Sequence, residues 1–442
     1  MKKIFFLTAL VILNIDLFSC ESPLSSCQNS TCQNSQNFFQ FRSFSSYSSE
    51  ELSMIKTLYQ NEITCDEVTR DFWQGTFSVA PKYMQNFSDS GLCGCKSLGS
   101  LPFWSGTNTM TYGGHNGTTN LDPYQFGMGD VDGIGSITLN ADIVHVGADM
   151  LLHMVYHKDK PGFYFTLRAP LGAMSVSSTL CENVAAQDVP ANELTDEIWL
   201  SYPSQANMFD SMTQAFQAGS VSTLDAQVIV ASSLHRAFAL ENGRVAACKQ
   251  TVIRLADISL ALGYQFKATP QGFLGAGIKF TMPTGNVPTG KYMLEPIFGR
   301  AGYWGVGAEL LGHYKIFEHI KRDRGLDFWI KGEILHLCSG RQPNMRSFDL
   351  TLNGPGSKYL LLQKYFLSTP SEDNPSGAIP SFITQAVNIT TLPVISRFNL
   401  EGNFSFLFDA HEQNMNFAIG AEIWGRSQER LTLDACNLLH VN

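Results

Sequence analysis

Apolar and polar residues alternate along most of the chain between positions 73 and 426. In residues 257–282 the alternation runs for about ten positions, breaks at the turn-like stretch KATPQG, and then resumes. Because successive side chains of a β-strand point to opposite faces, this pattern predicts two strands, each with one oily face and one small or polar face. Comparable strands are predicted in GSITLNADIVHVGADMLLHMVYH, GFYFTLRAPLGAMSV, GYWGVGAELLGHYKIF, LDFWIKGEILHL, RFNLEGNFSFLFDA and NFAIGAEIWGRS.

The oily face of these strands has to be covered either by a second protein layer or by lipid. A β-sandwich would also alternate, but three features favour lipid. The patterns reach about ten residues, enough to cross a bilayer, whereas ordinary strands average about five to six. The opposite face carries mid-strand charges such as Glu309, Lys331 and Glu401, as a polar lumen would. Aromatic residues cluster near the strand ends, where interfacial girdles lie.

A lipid-exposed sheet must close on itself, because lipid offers no hydrogen bonds to a free strand edge. We therefore expect an all-β fold: a transmembrane antiparallel β-barrel of about 10–14 strands, with a helical or loop insertion in or over the lumen. On this pattern, residues 73–426 resemble bacterial outer-membrane β-barrel proteins of the porin-like kind. Residues 285–310 also look like the loop-then-strand segments of uncharacterised members of that group. Such barrels commonly end in a strand with a terminal aromatic residue, whereas this sequence ends in ACNLLHVN.

The remaining stretches define the expected domain organisation. Lys2 and Lys3 followed by an apolar run predict an export signal over residues 1–20; lipidation of Cys20, at a lipobox-like LFSC, is left open. Residues 21–70 predict a polar tether with one short helix within residues 48–63. Residues 71–427 form the barrel, with residues 180–250 as a plug or constriction, and residues 428–442 form a tail.

Composition narrows the classes of function. Charged residues make up only 16% of the chain, against roughly 25% in typical soluble proteins, which suits a barrel facing lipid. The net charge of −9 argues against a nucleic-acid partner. We expect membrane lipid as the partner and the bacterial outer membrane as the location, with the periplasm or secretion as the alternative. Homo-oligomerisation and the pairing of the ten cysteines stay open.

Three motifs resemble sites of chemistry, and none predicts a cofactor or a metal. GNVPTGKY nearly matches a phosphate-binding loop, but Tyr292 replaces the required Ser or Thr, so a turn is the better interpretation. His145, Asp149, His153 and His157 share one strand face at spacings of about 13 Å, too far apart for one metal ion. GDVDGIG lacks the remaining ligands of a calcium loop.

The favoured function is a porin-like diffusion channel for small solutes, which is transport rather than enzymatic catalysis. Its selectivity would come from the charge and size of the side chains that line the pore. The predicted pore-lining residues are Asp257, Lys279, Glu309, His313, Lys331, Glu333, Glu401 and Arg426. A soluble, exported, β-rich binding or structural protein is the first alternative. A membrane-embedded hydrolase using His313 or His336 with a nearby Ser is the second.

Overall fold

The structure is a computed structural model that describes most of the chain between residues 42 and 434. The described ranges are 42–43, 46–60, 73–86, 109–113, 135–156, 161–184, 211–217, 240–269, 271–319, 324–339, 344–350, 356–367, 378–412 and 415–434. The predicted export signal, His157, most of GDVDGIG and much of residues 180–250 lie outside these ranges.

The chain is mostly antiparallel β-sheet, as the alternation predicts, with fourteen strands in one sheet. Those strands are β1 (Trp73–Gln85), β2 (Thr109–Tyr112), β3 (Gly135–Tyr156), β4 (Phe163–Arg168), β5 (Leu171–Val184), β6 (Gln250–Leu255), β7 (Ile258–Thr269), β8 (Gly272–Met282), β9 (Tyr303–His319), β10 (Arg324–Ser339), β11 (Asn344–Ser347), β14 (Thr391–Glu412), β15 (Met415–Arg426) and β16 (Glu429–Leu433). A separate antiparallel hairpin consists of β12 (Leu361–Leu367) and β13 (Ala378–Gln385).

Helical structure is short and lies between or before the strands. It comprises helix α1 (Ser48–Gln60), helix α2 (Met212–Gln217), a 3₁₀ turn (Ser357–Tyr359) and helix α3 (Ala386–Thr390). Helix α1 lies within residues 48–63, where the sequence predicts a helix. None of the described helices is long and apolar enough to cross a membrane.

The fourteen strands occupy nine side-by-side positions in a meander. There are fewer positions than strands because two short strands can lie end to end along the same edge of a longer neighbour. β1 and β2 share one edge of β3, while β5 and β4 share the other edge. β6 and β7 share the fourth position, β8 is the fifth and β9 is the sixth. β10 and β11 share the seventh position, β14 is the eighth, and β15 and β16 share the ninth. All neighbours are antiparallel, so the first and ninth positions run in the same direction. Among the described residues no pairing joins these two outer edges.

Two local features depart from the sequence expectation. The sequence places Phe398 on the same face as Phe404, but the register between β10 and β14 shifts near Leu335, and Phe398 is buried on the opposite side. β16 pairs with β14 inside residues 428–442, for which the sequence predicted a tail. The alternation pattern does not reveal either feature. A bulge shifts the phase of the alternation without marking where it does so, and β16, at five residues, is too short to show a clear pattern.

The sheet curls around helix α1. A helix of thirteen residues is only about 20 Å long, whereas nine flat strand positions would extend about 40 Å at their usual spacing. Side chains of α1 nevertheless contact strands from the first position to the ninth: Glu50 accepts from Lys82 of β1, and the Ser49 hydroxyl donates to Glu422 of β15. The sheet therefore has a concave face, which holds α1, and a convex face.

The interior of the concave face changes character along the strands. Around α1, an apolar group includes Leu52 and Ile55 of the helix and Trp329 of β10. The buried charged residues Glu51 and Lys331 lie on the same two elements. Towards the opposite end of β3, a larger apolar cluster contains Ile137, Leu139 and residues from α2, the 283–302 loop and α3. Within the predicted 180–250 insertion, residues 180–184 instead continue strand β5 and residue 250 begins β6. The other described residues of the insertion, α2 and residues 240–249, contribute Phe216, Leu240 and Val245 to that apolar end.

Candidate functional site

The candidate site is a set of seven buried ionisable side chains on the concave face, here called the Glu51 cluster. Its members, each at most 4% exposed, are Glu51, Asp149, Arg168, Lys279, Glu309, Lys331 and Glu333. Four of them, Lys279, Glu309, Lys331 and Glu333, are predicted pore-lining residues. They face the same way because they occupy alternate positions of β8, β9 and β10.

The carboxylate of Glu51, in the first turn of α1, is the centre of the cluster. Lys279 Nζ lies 3.0 Å from Glu51 Oε2, and Lys331 Nζ lies 3.0 Å from Glu51 Oε1. Arg168 Nη1 lies 3.4 Å from Glu51 Oε2. Burial opposes ionisation of Glu51, but Lys279, Lys331 and Arg168 together hold its pKa well below the usual range. Glu51 is therefore a buried carboxylate held ionised by three cations.

Each of the three cations also has an acidic partner on the sheet. Arg168 donates three hydrogen bonds to Asp149: from Nε to Oδ1 at 3.2 Å and to Oδ2 at 2.9 Å, and from Nη2 to Oδ2 at 2.5 Å. Lys279 Nζ lies 2.5 Å from Glu333 Oε2, and Lys331 Nζ lies 3.0 Å from Glu309 Oε2. The sheet thus supplies three matched ion pairs, and α1 adds the buried carboxylate of Glu51 and, 3.6 Å from Arg168 Nη2, the partly exposed carboxylate of Glu50.

A second buried group forms around Arg300, which belongs to the loop of residues 283–302 between β8 and β9. Arg300 Nε donates to Glu401 Oε1 at 2.9 Å, and the Arg300 backbone N–H donates to Asp257 Oδ2 at 2.5 Å. Two further predicted pore-lining residues, Asp257 and Glu401, are therefore brought together by a residue that the sequence did not single out. The loop contains GNVPTGKY and connects two strands as predicted, with Glu295 accepting the Thr289 and Tyr292 backbone N–H groups at 2.7 and 3.2 Å.

The last two predicted pore-lining residues contact aromatic rings. The imidazole of His313 stacks on Trp329 with ring centroids 4.0 Å apart, and its Nε2 lies 3.4 Å from Asp327 Oδ1. The guanidinium of Arg426 lies 4.0 Å from the centre of the Phe398 ring. His336, the other histidine considered for hydrolysis, is on the exposed face with Nδ1 2.9 Å from the Asn399 carbonyl oxygen.

The sequence missed some residues of the site for identifiable reasons. Arg168 was visible as a charge inside an apolar strand pattern, but Glu51 and Arg300 lie in a helix and a loop, where charge is ordinary. Among the described histidines of the HVGADMLLHMVYH segment, His145 and His153 both face the concave interior with Asp149. Within the described residues no group of three His, Cys, Asp or Glu side chains is placed to hold a metal ion. Cys248 and Cys338 are exposed free thiols, and Cys181 Sγ lies 3.9 Å from Asn140 Nδ2.

No protein-family model matches the chain, and no curated protein matches it.

Proposed function

We propose that the protein is a bacterial outer-membrane β-barrel that forms a porin-like channel for small solutes, with α1 as a plug in its lumen. The observation that carries this proposal is the distribution of polarity on the convex face. An apolar belt covers part of the convex face. Farther along the same strands, the convex face becomes polar and the concave face becomes apolar.

β3 presents both regions on one strand. Its outward side chains from Val144 to Tyr156 are Val144, Val146, Ala148, Met150, Leu152, Met154 and Tyr156. This stretch is about 40 Å long along the strand, or about 30 Å at the usual tilt of barrel strands, which matches the hydrocarbon core of a bilayer. A soluble sheet would bury such a face, because large exposed apolar patches are rare on soluble monomers.

Beyond Val144 the same strand reverses its polarity. The outward side chains become Ser136, Thr138, Asn140 and Asp142, while Ile137 and Leu139 join the apolar interior. The neighbouring β5 changes at the same level, with Ser175 and Ser177 outside and Met174 and Val176 inside. This reversal is what a strand needs when it leaves lipid and enters water.

The opposite end of the belt carries a row of aromatic side chains. Trp73 pairs with Tyr156 across β1 and β3, with ring centroids 5.6 Å apart. Phe163 pairs with Tyr264 across β4 and β7, with ring centroids 5.2 Å apart. Three of these rings are 43–64% exposed, namely Trp73, Phe163 and Tyr264. Such rows mark the membrane–water interface in outer-membrane barrels.

Closure of the barrel is supported by a bridge between the two outer edges. Lys82 of β1 and Arg42 lie on the Tyr47 ring, at 3.9 and 4.0 Å from its centroid. Arg42 in turn pairs with Glu422 of β15. The first and ninth strand positions are therefore linked through three consecutive side-chain contacts. Direct pairing of these edges would be parallel and give an odd number of strands, as in the mitochondrial 19-stranded barrel.

The concave face supplies the polar interior that a channel needs, and α1 occupies it. Lys56 of α1 pairs with Asp409 at 2.6 Å, and Ile55 is fully buried beside Leu311 and Trp329. We therefore expect solutes to pass when α1 moves aside, with the paired charges of the sheet lining the path.

The test combines membrane extraction with conductance of two variants of α1. Ile55→Asp places a charge against an apolar wall and should unseat α1, whereas Ser53→Asp changes an exposed position of the same helix. We expect the full chain to require detergent for extraction and to migrate anomalously on gels until boiled. In planar bilayers, Ile55→Asp should show more frequent conductance steps than the parent chain, and Ser53→Asp should match the parent.

Extraction into buffer without detergent would overturn the proposal in favour of a soluble exported protein. Detergent-dependent extraction with no conductance steps in Ile55→Asp would overturn the channel while leaving the barrel.

A further inference from the structure

We propose that the sheet wall carries a binding site for small organic carboxylates, and that Glu51 of α1 is its resident ligand. The proposal deepens the channel function and rests on it for its physiological meaning, because it names the class of solute that would compete with the plug.

Convergence of three cations on one carboxylate is the first observation. Arg168, Lys279 and Lys331 come from β4, β8 and β10, which occupy the third, fifth and seventh strand positions. Their donor atoms lie 3.0–3.4 Å from the two oxygens of Glu51. A planar anion with two oxygens is what this arrangement of donors recognises.

The wall holds these cations in place without Glu51. Arg168, Lys279 and Lys331 are anchored by Asp149, Glu333 and Glu309, respectively. Removing Glu51 therefore leaves three balanced ion pairs rather than three unpaired buried charges, and unpaired buried charge is what makes most such removals costly. The site would remain formed, and Glu51 is exchangeable in a way that its three acidic neighbours are not.

The resident carboxylate belongs to an element whose described hydrogen bonds to the wall each involve at least one side chain, such as that of the Ser49 N–H to Glu422. Besides Glu51, α1 is held by Lys56 with Asp409, by Glu50 with Lys82, and by a Thr57 hydroxyl near Thr76 and Ser78. Side-chain contacts of this kind can be exchanged one at a time, unlike the backbone hydrogen bonds of a sheet. A solute carboxylate that takes the place of Glu51 would remove the central contact of the plug.

The wall also selects among anions. The carboxylates of Asp149, Glu309 and Glu333 surround the three cations, so any further negative oxygen on the ligand would lie near an acid. A singly charged carboxylate is therefore preferred over sulfate or phosphate, which carry more oxygens and more charge.

The test is chemical replacement of the missing carboxylate in the full chain. Glu51→Ala removes the carboxylate and leaves room for acetate. We expect acetate to raise the Tm of detergent-solubilised Glu51→Ala saturably, with half-saturation at about 1–10 mM. Acetamide, chloride and sulfate at matched ionic strength should have little effect, and the parent chain should not respond to acetate because Glu51 fills the site.

Glu318→Ala is the matched control, because it removes an exposed carboxylate that pairs only with Lys315 in the described structure. An equal acetate response in Glu318→Ala, or an equal response of Glu51→Ala to acetamide or chloride, would refute the carboxylate site. If Glu51→Ala does not fold alone, its refolding yield should rise with acetate and not with acetamide, and failure of acetate to raise it would refute the site equally. These readouts do not depend on conductance. If acetate stabilises Glu51→Ala but no conductance steps are seen, the channel function is rejected and the carboxylate site is retained.

Discussion

Lys279 of β8 donates a hydrogen bond from Nζ to Glu51 Oε2 of helix α1 at 3.0 Å, across 228 positions of the sequence. The contact joins helix α1 to the charged residues that the strand pattern places on the concave wall. It turns a set of separately predicted charges into one buried cluster, and the consequences can be measured.

Removal of Lys331 should cost much more stability than removal of an exposed cation. Lys331→Met leaves the buried carboxylates of Glu51 and Glu309 without one of their cations, which we expect to lower the free energy of unfolding by about 3–5 kcal/mol. Arg324→Met removes a cation whose side chain and that of its partner Glu412 are 45% and 46% exposed, and should cost about 0–1 kcal/mol. Urea unfolding of the detergent-solubilised chain measures both, and equal losses would contradict the buried cluster.

A methyl group at Gly263 should be poorly tolerated. A Cβ there would lie 2.1 Å from Cζ of Tyr164, so Gly263→Ala forces the ring to move and should destabilise the protein by about 1–3 kcal/mol. Gly425→Ala is the control on another strand, because a Cβ there meets no atom within 4 Å. The double variant with Tyr164→Ala should lose less stability than the two single variants added together, and strict additivity would show that this contact is not the cause.

An arginine on the convex face should have a cost that depends on its level along the strands. On β9 the exposed side chains of Trp304, Val306 and Ala308 continue the apolar belt. Val306 is 47% exposed, and Val306→Arg should lower stability in lipid vesicles by about 2–4 kcal/mol. Thr179→Arg, at an exposed position of β5 beyond the belt, should cost less than about 1 kcal/mol. Reversible unfolding from vesicles distinguishes these outcomes. A protein whose convex face meets water would tolerate both substitutions equally.

A disulfide between α1 and β1 should hold the plug in place. Thr57 Oγ1 lies 3.4 Å from Ser78 Oγ, so the sulfurs of Thr57→Cys and Ser78→Cys would lie close enough to bond after small rotations. Under oxidising conditions this double variant should show fewer conductance steps, and a reducing agent should restore them.

The control for this cross-link joins two strands of the sheet instead. Thr109 Oγ1 and Thr138 Oγ1 lie 3.0 Å apart on β2 and β3, so Thr109→Cys with Thr138→Cys should cross-link without changing conductance. If the α1 cross-link forms and conductance is unaffected, α1 does not control the path.

Local alternation was enough to predict the strands and, outside the bulge in β14, the side to which their residues point. All eight predicted pore-lining residues lie on strands or at strand junctions of the sheet, and Lys279 and Glu333 illustrate why. The two-residue period of side-chain direction in a strand depends only on neighbouring residues in the chain, so it can be recognised without knowing which strands pair. The same reasoning failed at Phe398, because a bulge changes the phase and is set by the partner strand.

The sequence by itself determined that long strands with one apolar and one charged face would form a largely antiparallel sheet. Only the tertiary structure decided what meets the charged face. Glu51 lies in a helix whose charges look ordinary in sequence, and Arg300 lies in a loop with no periodic signal. Their partners are strands far away in the chain, and long-range Coulomb attraction and burial depend on distances that only folding creates.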